Sequence, residues 1–312
     1  MMIRPRRLVL VGSVLVDILL YIDHLPERGG DLLASRSIIT SGGGMNVLIA
    51  ATRLGLPAAY AGRVGSGAMG MQVMADLGAN GIPLLLPRVR GEDTGFDVGL
   101  VESDAERTFI TSPGTESRLQ PDDLAGIPLQ FHDAVYVSGY ELCYPISGAS
   151  LEQWLPSLDP DMLLILDPGP LAGEIPADRL SHVLARTSLL TLNAREAELL
   201  TRTADIPTAA TQLAQRITPD GWVVARTGQC GCWIASTTQP PLHIPARKTQ
   251  AVDTTGAGDA HTAALVARLA AGDDLPAAAH IANVAASLAV ERRGPATGPT
   301  ASELAAALNE LA

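Results

Sequence analysis

A carboxylate beside two glycines is the most chemically suggestive feature of this chain. In Val252-Asp253-Thr254-Thr255-Gly256-Ala257-Gly258-Asp259-Ala260 the glycines precede an apolar helical stripe of Ala263, Ala264, Val266, Ala267 and Ala270. That pattern reads as a tight turn entering a helix. Glycine lets the backbone curl without a Cβ clash. The first N–H groups of a helix lack intrahelical partners, and the helix dipole adds to their pull on an anion. Asp259 sits where such an anion would arrive. An anion-binding turn with a base beside it suits phosphoryl transfer to a hydroxyl. The same stretch also reads as a Gly-rich turn with Asp259 as a helix-capping acid. Taken alone it does not separate the two.

Other residues add candidates. Asp17 is an acid among apolar neighbours, and a carboxylate in that setting is usually paired or functional. Ser41-Gly42-Gly43-Gly44-Met45-Asn46 runs into a helical stripe of Val47, Leu48, Ala51 and Leu54, closed by Gly55 at C′. Three glycines there permit close approach of a ligand backbone-side, and the Asn46 amide could grip a hydroxyl. Gly65-Ser66-Gly67-Ala68-Met69-Gly70 is a formal Gly-x-Gly-x-x-Gly between strand and helix, with Glu92 and Asp93 further on. It supports a dinucleotide-dependent oxidoreductase as the competing class. Asn193 with Glu196 three residues later fits a capping box. Thr227-Gly228-Gln229-Cys230-Gly231 is a tight turn after a strand.

Composition narrows the classes. The net charge of -11 over 312 residues argues against a nucleic-acid partner. Lys248 is the sole lysine, so no phosphate-loop lysine exists and a Schiff base has one candidate. Cys143, Cys230 and Cys232 are too few and too badly spaced for a disulfide frame or a zinc site, which favours thiols in a reducing cytoplasm. Arg4-Pro5-Arg6-Arg7 before an apolar run mimics a signal peptide, but Asp17 interrupts the run and no cleavage site follows. No segment is long and apolar enough to span a membrane.

These residues need elements to hold them. Leu8–Val11 reads as a central strand, 32–40 and 58–64 as further strands, and a helix runs from the second glycine motif to about Asn80. Phe96–Val101 and Arg107–Thr111 read as a hairpin turning over 102–106. It breaks the strand–helix alternation, so with residues 18–40 it is expected to form a small outlying sheet that could cover a substrate. Strands follow at 134–138, 162–166, 189–192 and 222–225, with helices at 151–158, 180–185 and after Asn193. Antiparallel strands are expected at 232–235 and 242–245, then helices near 258–271, 275–291 and 301–311. The fold class is α/β, one domain over 1–312 with lid segments about 18–41 and 94–112 inserted.

From about residue 7 to the end the chain resembles the ribokinase-like, PfkB-type carbohydrate kinases. The match rests on Asp253-Thr254-Thr255-Gly256-Ala257-Gly258-Asp259 and on the glycine run leading to Asn46-Val47-Leu48-Ile49-Ala50-Ala51-Thr52-Arg53-Leu54-Gly55. It rests also on Asn193-x-x-Glu196, Thr227-Gly228-x-x-Gly231 and Asn283 within 282–290. The resemblance implies a three-layer α/β/α sandwich with a mainly parallel central sheet and a small β-sheet lid. It implies an ATP-dependent kinase of a small sugar or sugar-like alcohol, with Asp259 as base and an anion hole at Gly256, Ala257 and Gly258. Asp17, Gly42, Gly43, Asn46 and Glu141 would hold the acceptor. Asn193, Thr227, Gly228, Gly231 and Asn283 would face ATP. Glu196 and Asn193 would order Mg2+ through water, and Asp253 with the Thr255 carbonyl would take a monovalent cation such as potassium. A homodimer through the lid is also implied.

The chain departs from the pattern at Leu15, at Gly67 and in the shifted glycine run, which leaves the sugar open. Within the family, a phosphosugar kinase would want Arg90 or Arg107 aimed at substrate phosphate. Few aromatics (three Phe, three Trp, five Tyr) weigh against a nucleoside acceptor. A catalytically silent binder is disfavoured by the intact Asp259 turn.

Overall fold

Alternation along the first strand explains the layering. Leu8 and Leu10 pack into one apolar cluster, Val9 and Val11 into another, and all four are fully or almost fully buried. A strand buried on both faces must lie between two layers. The computed structural model describes residues 4–103 and 107–311. Its strands are β1 (Arg7–Leu10), β2 (Val16–Tyr21), β3 (Arg36–Ser41), β4 (Ala58–Tyr60), β5 (Phe96–Val101) and β6 (Arg107–Ser112). They continue as β7 (Asp133–Ser138), β8 (Leu163–Asp167), β9 (Leu189–Asn193), β10 (Trp222–Arg226), β11 (Cys232–Ala235) and β12 (Leu242–Ile244).

Eight strands form the central sheet in the order β12-β11-β10-β9-β8-β7-β1-β4. The pairs from β4 to β10 are parallel, while β11 and β12 run antiparallel at one edge. The helices Met45–Arg53, Ala257–Ala271 and Leu275–Val290 share the cluster of Leu8 and Leu10. The helices Pro145–Trp154, Ala177–Arg186 and Ile206–Ala214 share that of Val9 and Val11. Each fully buried Leu or Val contributes about 1.5–3 kcal/mol. The helix pair at the C-terminal end is rich in buried alanine (Ala263, Ala264, Ala278, Ala279, Ala282, Ala285), so small side chains let the backbones come close. The first of the pair also packs on Met45–Arg53, which sets Asn46 beside Asp259.

Four strands form the lid in the order β3-β2-β5-β6. The β2–β5 pair is parallel and the outer pairs antiparallel. The chain crosses from core to lid over residues 12–15. There the buried Tyr60 hydroxyl accepts from Val14 N at 2.9 Å and donates to Gly12 O at 3.0 Å.

Several boundaries differ from the sequence expectations. The lid begins at Val16, and its second strand begins only at Arg36. The expected strand 58–64 stops at Tyr60, because the chain then packs against Gly12, where a Cβ on Gly62 would lie 2.1 Å from the Gly12 carbonyl. The helix expected at 151–158 starts at Pro145, a residue well suited to a first turn. Helices Pro121–Ala125, Gly139–Cys143 and Ile206–Ala214 have no sequence counterpart. Residues 104–106 of the expected hairpin turn lie outside the described residues.

Candidate active site

The C-terminal ends of the parallel strands converge on one cavity of about 360 Å3, the usual place for a ligand in an open α/β sheet. Ser13 follows β1, Glu141 follows β7, Asp167 ends β8, Glu196 follows β9, and Arg226 ends β10. The lid contributes Asp17, Asp97, Phe109 and Thr111. Gly256, Gly258 and Asp259 close the floor.

Gly256 is in the left-handed region (φ 70°), which starts the helix Ala257–Ala271 abruptly. The Ala257 N–H is turned back onto Thr254 O at 3.3 Å, and only Gly256 and Gly258 of that turn line the cavity. So of the three residues implied for an anion hole, Ala257 spends its amide inside the loop. Asp259 is half-buried, and burial, with the charge of Asp167, pushes its carboxyl up to about 6 against the pull of Arg226 and Asn46.

The residues expected to hold the acceptor meet at the other end. Asp17 and Asp97 are register partners on adjacent strands, so their side chains share one face of the lid. Burial, then the charges of Asp97 and Asp259, raise Asp17 to about 8. Burial raises Asp97 to about 6, and the two carboxyls lie within hydrogen-bonding reach, as a pair sharing one proton does. Gly42 makes this possible: a Cβ there would fall 1.9 Å from an Asp17 oxygen. Gly43 and Asn46 line the same end, and Asn46 Oδ1 is buried without a partner. Glu141 is fully buried, and neither carboxyl oxygen has a hydrogen-bond partner. Burial pushes it up to about 8; Ser13 is close enough to oppose that shift but forms no hydrogen bond with it.

Opposite lies a compact ion cluster. Arg226 Nη2 approaches Asp167 Oδ2 at 3.1 Å and Glu196 Oε2 at 3.9 Å, while Nη1 donates to Thr191 and Thr262. Burial disfavours the Arg226 charge, but Asp167 and Glu196 outweigh it and its pKa rises. Glu196 is raised by burial, then by Asp167. Asn193 and Glu196 form the capping box, with Asn193 N and Nδ2 donating to the two Glu196 oxygens at 2.8 and 2.7 Å. Two of about four carboxylate lone-pair sites are thus used. No cluster of three metal-ligating side chains occurs among the described residues. This sparse set fits a magnesium ion held mainly by phosphates and water.

Three expectations meet other surroundings. Asn283 does not reach the cavity: its amide donates to the carbonyls of Ile244 and Pro245 at 3.0 and 3.2 Å, and its Oδ1 pairs with His261 Nε2. The Asn283 side chain therefore ties the edge strand β12 to the helix layer. Thr227 folds its hydroxyl onto Gly231 O at 3.0 Å, and Gly228 (φ 60°) and Gly231 (φ 99°) shape the turn directly after Arg226. The Gly65/Gly67/Gly70 loop is filled by Asp93, whose carboxylate accepts from Met69 and Gly70 N–H at 3.1 and 2.9 Å. A pyrophosphate would have to displace that acid, so the dinucleotide reading loses its site.

Asp97, Asp167 and Arg226 carry much of the site's charge and had no place among the sequence candidates. Each sits at a strand position whose meaning depends on pairing. Phe109, Tyr136, Tyr140 and Tyr144 also line the cavity, so aromatics scarce in the whole chain concentrate here. Arg90 is exposed and outside the cavity, and Arg107 is engaged by Asp253.

A helix N-terminus facing a carboxylate at the C-terminal edge of a parallel sheet, under a β lid, is the arrangement of a phosphotransferase with an alcohol acceptor. The family model for pfkB family carbohydrate kinases matches residues 5–302. The chain is 33% identical over 299 residues to the uncharacterised sugar kinase YegV of Escherichia coli K12, covering 94% of this chain and 91% of that one. It is 30% identical over 269 residues to the ribokinase of Mus musculus, covering 84% and 81%. The fold matches Arabidopsis thaliana ribokinase, solved with ribose and ATP, at a TM-score of 0.78 and 24% identity, covering 98% and 99%. This chain belongs to the PfkB family of carbohydrate kinases, with a ribokinase-like fold.

Proposed function

We propose that the protein transfers the γ-phosphoryl group of ATP to a hydroxyl of a small, uncharged sugar. One observation carries this: a single cavity brings the Gly256–Gly258 turn and Asp259 together with Asp17, Asp97 and Asn46. The acceptor lies against Asp17, Asp97, Asn46 and Glu141, of which Asp97 Oδ1, Asn46 Oδ1 and both Glu141 oxygens have no partner and accept from sugar hydroxyls. Among the described residues a phosphate or carboxylate on the acceptor would meet these acids with no free cation beside them, which disfavours phosphosugars and sugar acids. The acceptor hydroxyl donates to Asp259, which aligns it and takes its proton as the new oxygen–phosphorus bond forms and the γ-phosphorus bond to the departing ADP breaks. Developing negative charge faces the first-turn amides at Gly258 and the Arg226 guanidinium behind them. Magnesium bound with the nucleotide would neutralise phosphate charge, with Glu196 and Asn193 holding it through water.

The concentration of Phe109, Tyr140 and Tyr144 favours a second acceptor class, a nucleoside whose base stacks at the cavity mouth. We also propose a homodimer through the lid. Ile18, Ile39, Val98 and Ile110 are register partners on the face opposite Asp17, and Ile39 and Ile110 are 61% and 68% exposed. The proposed compartment is the cytoplasm, where an exposed thiol such as Cys230 stays reduced. No helix among the described residues is long and apolar enough to cross a membrane.

An ATP-consumption screen over pentoses, hexoses, keto-deoxy acids, nucleosides and phosphosugars tests the reading. Turnover with a neutral pentose or hexose is expected. ATP consumption with none of these alcohols, or with phosphorylated or acidic acceptors alone, would overturn it.

A further inference from the structure

The monovalent cation implied at Asp253 does not fit the residues that surround it. Asp253 Oδ1 accepts from Arg107 Nη2 at 2.5 Å, from Thr255 N at 2.9 Å and from Thr255 Oγ1 at 2.6 Å. Its Oδ2 accepts from Gly294 N at 2.9 Å. Three donors saturate Oδ1 and one engages Oδ2. The Arg107 and Asp253 side chains keep only 21% and 12% of their surface exposed. Four hydrogen bonds thus converge on this one carboxylate, and its counter-charge is a guanidinium that never deprotonates.

The donor comes from the lid. Strand alternation puts Arg107, Phe109 and Thr111 on one face of β6, and Phe109 and Thr111 line the cavity. Asp253 in turn fixes Thr255, the residue before the left-handed Gly256 that starts the anion-binding helix. An unbroken path thus runs from the lid strand, through one ion pair, to the turn beneath the reacting phosphate.

We propose that Arg107 is a built-in cation. Its guanidinium takes the place at Asp253 that a free monovalent cation would otherwise fill, and it couples the position of the lid to the shape of the anion-binding turn. Arg107 is a positioning residue: it touches neither acceptor nor phosphate and acts through Asp253 and Thr255. The assignment rests on the kinase reading for its consequence in turnover, but its cation-binding part does not need turnover to be tested.

The test compares wild type with Arg107→Ala and Arg107→Gln in potassium chloride and choline chloride at equal ionic strength. Thermal unfolding comes first, because it needs no acceptor. Wild type is expected to unfold at the same temperature in both salts. The variants are expected to unfold earlier in choline and to regain part of the loss in potassium. Turnover on an acceptor from the screen follows. Wild type should work equally in both salts, within about twofold. The variants should lose roughly tenfold or more in kcat with a smaller change in KM, as loss of a buried ion-pair partner does. Potassium or millimolar guanidinium should restore several-fold of that loss. A wild type strongly activated or stabilised by potassium overturns the proposal. So do variants that lose activity or stability without acquiring a cation response, and variants that lose nothing. If both variants fail to fold, the wild-type comparison decides alone. A wild type insensitive to potassium in unfolding but silent in every acceptor assay would fail the kinase reading and leave the built-in cation standing.

Discussion

The two ends of the cavity hold similar numbers of acids and treat them differently. At the proposed acceptor end Asp17, Asp97 and Glu141 have no cationic partner among the described residues; burial raises all three, to about 8, 6 and 8. At the transfer end Asp167 and Glu196 gather around Arg226. Unpaired, proton-sharing carboxyls suit neutral hydroxyl groups, which both give and accept hydrogen bonds. Paired acids around a buried guanidinium keep a fixed charge pattern in place where phosphate charge must move. On the proposed function, this contrast lets one acidic cleft reject an anionic acceptor and still receive a nucleotide.

The contrast breaks first at Asp259. Asp259→Asn should lower kcat by about 10³-fold while the acceptor still binds within a few-fold, because general base catalysis contributes about 10²–10⁴. Turnover and calorimetric titration on the same preparation check this. Arg226→Met should come next. It leaves the half-buried Asp167 and the buried Glu196 without their partner, and about 3 kcal/mol of stability should be lost in urea unfolding, together with turnover.

Glu141 probes the other end with a sign fixed by its pKa. Its folded-state value of about 8 lies above the ordinary 4.5, so the native protein holds this proton more tightly than the unfolded chain. The associated stability is full below about pH 4.5 and is lost as pH rises through 8. Glu141→Gln should therefore stabilise the free protein at pH 8 to 9, by up to roughly 5 kcal/mol, and should change little at pH 4. Equal unfolding midpoints for both proteins at pH 9 would count against an unpaired buried acid. The smallest effect is expected at Asp97. Asp97→Asn should raise KM for a neutral sugar about tenfold with little change in kcat, the size of one lost charge-assisted hydrogen bond. It should also narrow the preference for neutral over acidic acceptors.

Local punctuation made part of this site legible in the sequence. Gly256 and Gly258 before an apolar stripe, the glycine run before Asn46, and Asn193 three residues before Glu196 all act within one turn of chain, and the structure puts a helix start at each. The alternation of strands and helices likewise gave the parallel sheet and the outlying lid. Pairing was not legible. Asp97 gains its meaning only because β5 lies beside β2 in a register that sets it against Asp17. Arg226 reads as the polar end of an apolar strand until Asp167 is brought alongside. Asn283 shows the reverse: a polar residue in a matching motif, whose amide the carbonyls of Ile244 and Pro245 have already taken. Composition misled at the cavity wall, because an average over the chain hides four aromatics gathered at one place.

The most direct test is a crystal structure with a neutral sugar from the screen and a non-hydrolysable ATP analogue. A sugar hydroxyl is expected within about 3 Å of the Asp259 carboxylate, the remaining hydroxyls on Asp17, Asp97 and Asn46, and the terminal phosphate at the Gly258 amide. A phosphate lodged against Asp17 and Asp97, or a sugar held away from Asp259, would contradict that arrangement.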